Sequence, residues 1–354
     1  MRVGLDAKVL AGPPGGVRRY VEGLLAALGR TGTPGPAVEP LVPGTPGSTL
    51  AWVAGPLRRA SRRFDVLHCP FYYGPPRPRC PVVVAIHDIL PVEHPEWFPR
   101  AWANPLRWLI PWAARSAAAI VVYAHSVAER IEARFGIDRA RIRVIPHGVD
   151  PTRFAPPSPE RVGAVRRRWS GGRPYVLQVG ALEPRRGVDL ALAAVGELRR
   201  DYRDLVLLLT GPDRAPVPGL DPPPPWVIRT GAVPEEELPA LYAGAEAVLS
   251  PSRGEGFDLP LLEALACGAP VVASDIDVHV EHFAQAVALF SSGDREGLAG
   301  ALERVLGDGE YRAELVRRGR RLAAAFSWER SARAHAELWL EVAGGGGAAA
   351  RRLA

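Results

Sequence analysis

Residues 246–275 read EAVLSPSRGEGFDLPLLEALACGAPVVASD, a stretch punctuated by prolines and glycines. The apolar run 246–250 has strand character and must stop at Pro251, which cannot donate to a ladder. Gly254 and Gly256 disfavour regular structure, so 252–258 reads as a loop. Pro260 suits the first turn of a helix, where a missing N–H costs nothing, and the helix expected over 261–267 ends at Gly268. Pro270 then opens a second strand over 270–273. Strand, helix and strand in close order make a βαβ unit, whose strands lie parallel in one sheet. Glu255 and Glu263 stand eight positions apart across this junction, one in the loop and one in the first turns of the helix. A helix start offers N–H groups and partial positive charge, so an anionic phosphate group fits there, with carboxylates beside it accepting bonds from sugar hydroxyls. The plainer alternative is a capping glutamate plus a solvated one. Against it, Glu255 is misplaced for a cap and Glu263 sits among leucines.

The same alternation runs along the whole chain. Strand patterns fall at 2–6, 39–42, 65–69, 82–86, 119–123 and 142–145, and again at 175–179, 205–210, 226–229, 246–250, 270–273 and 286–289, with helical patterns between them. The stretch PTRFAPPSPE, 151–160, is rich in proline and reads as a linker. These patterns predict an α/β protein of two Rossmann-like, doubly wound parallel-sheet domains facing a cleft. The expected domains are 1–155 and 156–327, followed by a helix over 328–343 that crosses back to the first domain and a flexible tail over 344–354.

Composition narrows the function classes. A chain of 354 residues with 47% hydrophobic residues can bury two ordinary cores. The 44 Lys+Arg against 38 Asp+Glu leave a formal +6, but Lys8 is the only lysine. That skew toward arginine follows a GC-rich coding bias, so the basic excess is no argument for a nucleic-acid partner, and none is expected. Cys69, Cys80 and Cys267 are odd in number and lack metal-ligand spacing, as in a reducing compartment. The N-terminus lacks the apolar core of a signal peptide, and no uncharged run is long enough to span a bilayer. The expected location is the cytoplasm, with a peripheral place at the inner face of an anionic membrane as its extension. Trp97, Phe98, Trp102, Trp108 and Trp112 crowd one stretch with two arginines. They read either as packing or a domain lid, or as an acceptor platform or interfacial membrane contact. Arg58, Arg59, Arg62 and Arg63 would attract anionic lipid or form a solvated face.

The segment EGFDLPLLE resembles the E-x7-E signature of retaining glycosyltransferases of the GT-B fold, family 4, and the resemblance covers nearly the whole chain. VGLDAKVLAGPPGGVRRY is similar to that family's N-terminal strand and glycine loop, AIHDILPVEHPEWFP to its central histidine segment, and RIRVIPHGVD to its domain-closing signature. YVLQVGALEPRRGVD resembles the donor-phosphate motif, RTGAVPEEELPALYAGAEAVLSPS the nucleotide-side segment, and FSWERSARAHAELW the terminal helix.

The resemblance implies a division of labour, with the acceptor on the N-terminal domain and a nucleotide-sugar donor on the C-terminal one. Glu263 would bind the ribose, Glu255 the transferred sugar, and the backbone at Gly256, Phe257, Asp258 and Leu259 sugar hydroxyls and phosphate. Asp258 departs from the glycine common at that place. Arg185 and Arg186 would grip the diphosphate and meet the charge of its departure without a metal; Arg186 replaces the family's usual lysine. Gly180, Gly15 and Gly16 would let backbone approach the donor, and Val233 would line the nucleotide. His87 would bond the donor sugar with Asp88 steadying its loop, while Trp97 and Tyr20 would serve the acceptor side. No cofactor and no metal are implied, and Asp275 and Asp277 are read as no metal site. The donor most resembled is GDP-mannose, as in bacterial mannosyltransferase-like members acting on polysaccharide or O-antigen; the acceptor is a glycan or a lipid-linked hydroxyl. A pyridoxal-phosphate phosphorylase of similar fold is excluded, since its Schiff-base lysine belongs in the C-terminal domain and Lys8 lies at the other end. A nucleotide-sugar-binding protein without turnover is the alternative.

Overall fold

The computed structural model describes residues 1–13, 15–30, 35–44 and 47–349. They form two compact units, one built from Met1–Gly148 together with the chain from Ser327 onward, the other from Val149–Phe326. In the first unit the strands are β1 (Arg2–Asp6), β2 (Ala37–Leu41), β3 (Val66–Cys69), β4 (Val82–Ala85), β5 (Ala119–Val122) and β6 (Ile142–Val144). In the second they are β7 (Tyr175–Val179), β8 (Val206–Thr210), β9 (Val227–Gly231), β10 (Ala247–Ser250), β11 (Val271–Ser274) and β12 (Ala288–Phe290).

Among the described residues the first sheet has the order β2-β1-β3-β4-β5-β6 and the second β12-β11-β10-β7-β8-β9. Every pairing in both is parallel. Helices cover both faces of such sheets, so central strands read as unbroken apolar runs. Thus every residue of β3, β4, β5, β8, β10 and β11 is buried. The strand order reverses between β1 and β3 in the first sheet and between β7 and β10 in the second, and in open α/β sheets ligands settle outside the strand ends at such a switch point.

The division between units falls at Gly148, ahead of the expected boundary at 155. Val149 N–H donates to the Phe326 carbonyl at 3.1 Å, and buried Phe154 lies near the Tyr242 ring, so the proline-rich stretch begins inside the second unit. Gly148 has no room for a side chain, because a Cβ there would stand 2.2 Å from the Trp328 nitrogen. Gly23 likewise makes way for the Trp328 ring, which a Cβ would meet at 2.3 Å. These two contacts seat the terminal helix, Trp328–Ala349, on the first unit. That helix continues through the glycines from Gly344, where a tail was expected, although each mid-helix glycine costs about 1 kcal/mol relative to alanine. Nothing in the structure explains the extension, and 350–354 lie outside the described residues.

Candidate active site

The second unit gathers most of the predicted residues at its switch point. From the end of β7 the chain passes Gly180, whose φ of +136° suits glycine. The Arg186 guanidinium lies over it, 3.5 Å from where a Cβ would stand. From the end of β10 comes the loop carrying Glu255. Arg186 Nη1 sits 2.7 Å from Glu255 Oε1, and Arg185 Nη1 sits 3.4 Å from Oε2. Ser252 Oγ donates to Glu255 Oε1 at 2.8 Å, and Arg185 Nη2 also reaches Glu183 Oε1 at 2.8 Å. All these carboxylates are buried, so each needs its cation.

What brings the two loops together is Arg253. Its guanidinium grips Asp189 in two bonds, 3.0 and 2.6 Å, and also reaches the Pro184 carbonyl. Its backbone N–H donates to the Arg185 carbonyl at 2.8 Å. Between the loops Gly187, at φ +65°, leaves no space for a Cβ, which would meet the Pro251 carbonyl oxygen at 2.0 Å.

The helix after the loop is Leu259–Ala266, starting two residues earlier than expected. Its N-cap is Asp258, which holds the left-handed conformation at φ +77° and accepts from Leu261 N–H. A left-handed non-glycine residue costs roughly 1–2 kcal/mol, offset here by the cap bond and by the partners of the carboxylate. Asp258 Oδ2 accepts from Ser250 Oγ and faces His279 Nε2 at 3.1 Å, while Oδ1 lies 3.8 Å from Arg186. Burial alone would raise its pKa; the bonds and charges of His279, Arg186 and Ser250 outweigh that and hold it down to about 2. The carboxylate that stands where glycine is common therefore shapes the loop. Phe257 is likewise a packing residue, buried against His282, Phe283 and Phe326. Gly256 and Leu259 are buried beside it. Glu263 is 2% exposed, and Tyr242 Oη donates to its Oε2 at 3.0 Å. Val233 is half-buried in the loop after β9. Asp275 takes the Ser292 N–H at 2.7 Å, and among the described residues no three or more His, Cys, Asp or Glu are grouped to hold a metal ion.

The first unit holds the other group. His87 follows β4, and its Nε2 lies 2.7 Å from the Pro70 carbonyl beyond β3. A carbonyl only accepts, so Nε2 carries the proton of the neutral ring. Desolvation pulls the His87 pKa down to about 4, against the opposing Pro70 bond. Asp88 accepts from Leu90 N–H at 3.0 Å, which fixes the turn after His87. Trp97 is half-buried and stacks on His94, centroids 3.9 Å apart. Tyr20, expected on the acceptor side, presents no exposed surface to an acceptor. It is fully buried, and its hydroxyl is shared between His68 Nε2 at 2.7 Å and His335 Nε2 at 2.8 Å. Gly15 and Gly16 are exposed, Gly16 opening the helix Gly16–Arg30.

A family profile described as Glycosyltransferase Family 4 matches residues 2–153, and one described as Glycosyl transferases group 1 matches residues 173–308. A D-inositol 3-phosphate glycosyltransferase of Salinispora arenicola is 30% identical over 87% of this chain and 77% of its own. The chain is a family 4 glycosyltransferase. An O-antigen chain mannosyltransferase B of Escherichia coli is 29% identical over 75% of this chain and 71% of its own. The crystal structure of Anabaena HepE in complex with UDP and glucose superposes with a TM-score of 0.74 at 20% identity, covering 96% of this chain and 99% of that one. The fold of the glycosyltransferase is accordingly GT-B.

Several residues of this corner are not singled out in the sequence: Glu183, Ser252, Arg253, Asp189, Tyr242 and His279. The meeting of the β7 and β10 loops gives Glu183, Ser252, Arg253 and Asp189 their partners, whereas Tyr242 meets Glu263 between the helices flanking β10 and His279 reaches Asp258 from the helix after β11. For Arg253 a faint signal existed, since it adjoins the loop glycines.

Proposed function

We propose that this glycosyltransferase moves a hexose from a nucleoside-diphosphate sugar to an acceptor hydroxyl with retention of configuration and without a metal. The observation that carries the proposal is the buried cluster of Arg185 and Arg186 around Glu255, at a switch point and beside a helix start. A departing diphosphate develops negative charge, and two guanidiniums fixed beside it lower that cost without reorganising. Glu263, held by Tyr242, is suited to a bidentate bond with ribose hydroxyls. Retention then follows from attack on the face the phosphate leaves, the phosphate oxygen taking the acceptor proton.

GDP-mannose is the proposed donor. The mannosyltransferase among the relatives supports it, while HepE with UDP and glucose makes a uridine donor the rival outcome. The acceptor is a glycan or lipid-linked hydroxyl bound by the first unit. Peripheral contact with an anionic membrane is proposed for the helix Arg100–Ser116, whose outer face exposes Trp102, Trp108 and Trp112 beside arginines. Among the described residues no helix is long and apolar enough to cross a membrane.

The test is a thermal-shift series with GDP-mannose, GDP-glucose, UDP-glucose and ADP-glucose, followed by assay of nucleoside diphosphate release with and without EDTA. A true donor stabilises by mass action, about 2.7 kcal/mol at a hundred times its Kd. Release that rises on adding acceptor supports transfer. Binding with no release under any acceptor supports the non-catalytic reading. Inverted stereochemistry in the product, read by proton NMR, overturns the retaining mechanism.

A further inference from the structure

His279 has so far been given a place beside Asp258 but no function; it is fully buried and faces the cap of the donor helix. It stands on the helix Asp277–Phe283, which follows β11. Its Nδ1 lies 2.9 Å from the Ser274 carbonyl, which can only accept. The nearby Ser274 hydroxyl, at 3.4 Å, already gives its proton to the Ser252 carbonyl at 2.6 Å. Nδ1 therefore carries a proton. On the other side Nε2 faces Asp258 Oδ2, which also takes the Ser250 hydroxyl. With the carboxyl group ionised, both imidazole nitrogens are donors and the ring is a cation.

The charges of this corner then balance. Arg185, Arg186 and His279 face Glu183, Glu255 and Asp258. Glycine in place of Asp258 would bring neither the carboxylate nor the need for His279. A carboxylate at the start of a helix that receives a diphosphate repels it, unless a cation behind cancels the charge. His279 is placed to do so from the protein side, leaving Arg186 to serve Glu255 and the ligand.

We propose that His279 is a positioning residue for donor binding: through its buried ion pair it neutralises Asp258 and holds the Gly256–Asp258 turn, and with it Arg186, ready for a diphosphate. This rests on the reading of the corner as the donor site. Arg186, itself paired with Glu255, lies 3.8 Å from Asp258, and Asp277, Glu281 and His282 stand on the helix that carries His279.

The experiment titrates GDP and UDP, each beside GMP and UMP, into wild type, His279→Gln, Asp258→Asn, the double variant and Glu263→Ala, with thermal unfolding of each. Glutamine keeps a donor toward Asp258 but carries no charge. The expected result is diphosphate binding at least tenfold weaker in His279→Gln, with monophosphate binding changed much less. The double variant, in which neither charge is stranded, recovers most of that loss. A loss equal for mono- and diphosphates, a loss of melting temperature alone, or strict additivity in the double variant overturns the proposal. Should His279→Gln fail to fold, Asp258→Asn and the double variant decide it: without coupling the proposal falls. If Glu263→Ala weakens nucleotide binding while His279→Gln does not, this proposal alone fails. If wild type binds neither GDP nor UDP, the donor-site reading falls and this one with it.

Discussion

Arg186 Nη1 and Glu255 Oε1 stand 2.7 Å apart at the meeting of the β7 and β10 loops, with Arg185 on the other carboxylate oxygen. Removing the guanidinium of Arg186 takes away charge that counts most as the diphosphate leaves. Arg186→Ala is expected to lower kcat by about 10²–10³, the range typical for losing one preorganised donor. Donor KM should move less, which steady-state kinetics with the identified donor will show. Arg186→Lys restores charge but not the planar fork, so it should fall between the two. A kcat within a factor of three of wild type would remove Arg186 from the chemistry.

Glu263 is expected to act on binding instead. It is buried and takes the Tyr242 hydroxyl at 3.0 Å, so its second oxygen is turned and held. Glu263→Ala should raise donor KM at least tenfold with a smaller change in kcat. Tyr242→Phe leaves the carboxylate in place but less well aimed and should cost about 1 kcal/mol of binding, roughly fivefold in KM. Calorimetry with the donor separates the two variants, and wild-type affinity in Tyr242→Phe would show that Tyr242 has no part in orienting Glu263.

Much of this was legible in the sequence because it lay in local punctuation. Pro251, Gly256 and Pro260 mark strand end, loop and helix start, and the parallel sheets follow from apolar runs separated by helical periods. The glycine loop, His87 and the arginine pair could be placed because each follows a strand. What escaped was the part made by long-range meeting. Nothing local marks Tyr20 as the bridge between His68 and His335, which are 48 and 315 positions away along the chain. The part played by the Asp258 side chain is of the same kind: it is set by Ser250, His279 and a left-handed backbone, and a sequence shows only an acid where glycine is usual.

The first unit should be the acid-sensitive one. Burial lowers the His335 pKa from 6.5 to about 4, against the opposing Ser331 carbonyl, and lowers His68 well below its ordinary value, aided by His335 and His87. Their bonds run one way: Trp339 Nε1–H gives to His68 Nδ1, His68 to Tyr20, Tyr20 to His335, and His335 Nδ1–H to the Ser331 carbonyl. Neutral rings are built in, whereas the unfolded chain takes up protons below pH 6.5. Stability is thus full above pH 6.5 and lost as the pH falls toward 4, by about 1.4 kcal/mol per pH unit for each buried histidine. Asp258 in the second unit behaves differently, since its pKa is depressed from 3.8 to about 2 and its contribution begins to fade only below pH 4. Urea unfolding between pH 7 and pH 4 should show the loss, and His335→Phe should flatten it. An unchanged slope in that variant would locate the acid sensitivity elsewhere.

The tryptophan helix offers the last test. Ala103, Leu106, Ile110, Ala113 and Ala114 bury one side of Arg100–Ser116, and Trp108 is 82% exposed on the other. Trp112 follows one turn later on the same face, and Arg115 closes it. A large indole left in water gains nothing for the fold, but at a bilayer boundary its ring sits among headgroups while arginine meets anionic lipid, each cation adding about 1 kcal/mol. Because Trp108 is 82% exposed and Trp112 41%, Trp108→Ser with Trp112→Ser should lower the melting temperature by about 4 °C at most. Sedimentation with phosphatidylglycerol vesicles should lose at least tenfold in binding, and phosphatidylcholine vesicles should bind weakly in both proteins. Equal sedimentation of variant and wild type with the anionic vesicles would assign the exposed tryptophans to the acceptor, where transfer to a soluble glycan acceptor, and not vesicle binding, would register their loss.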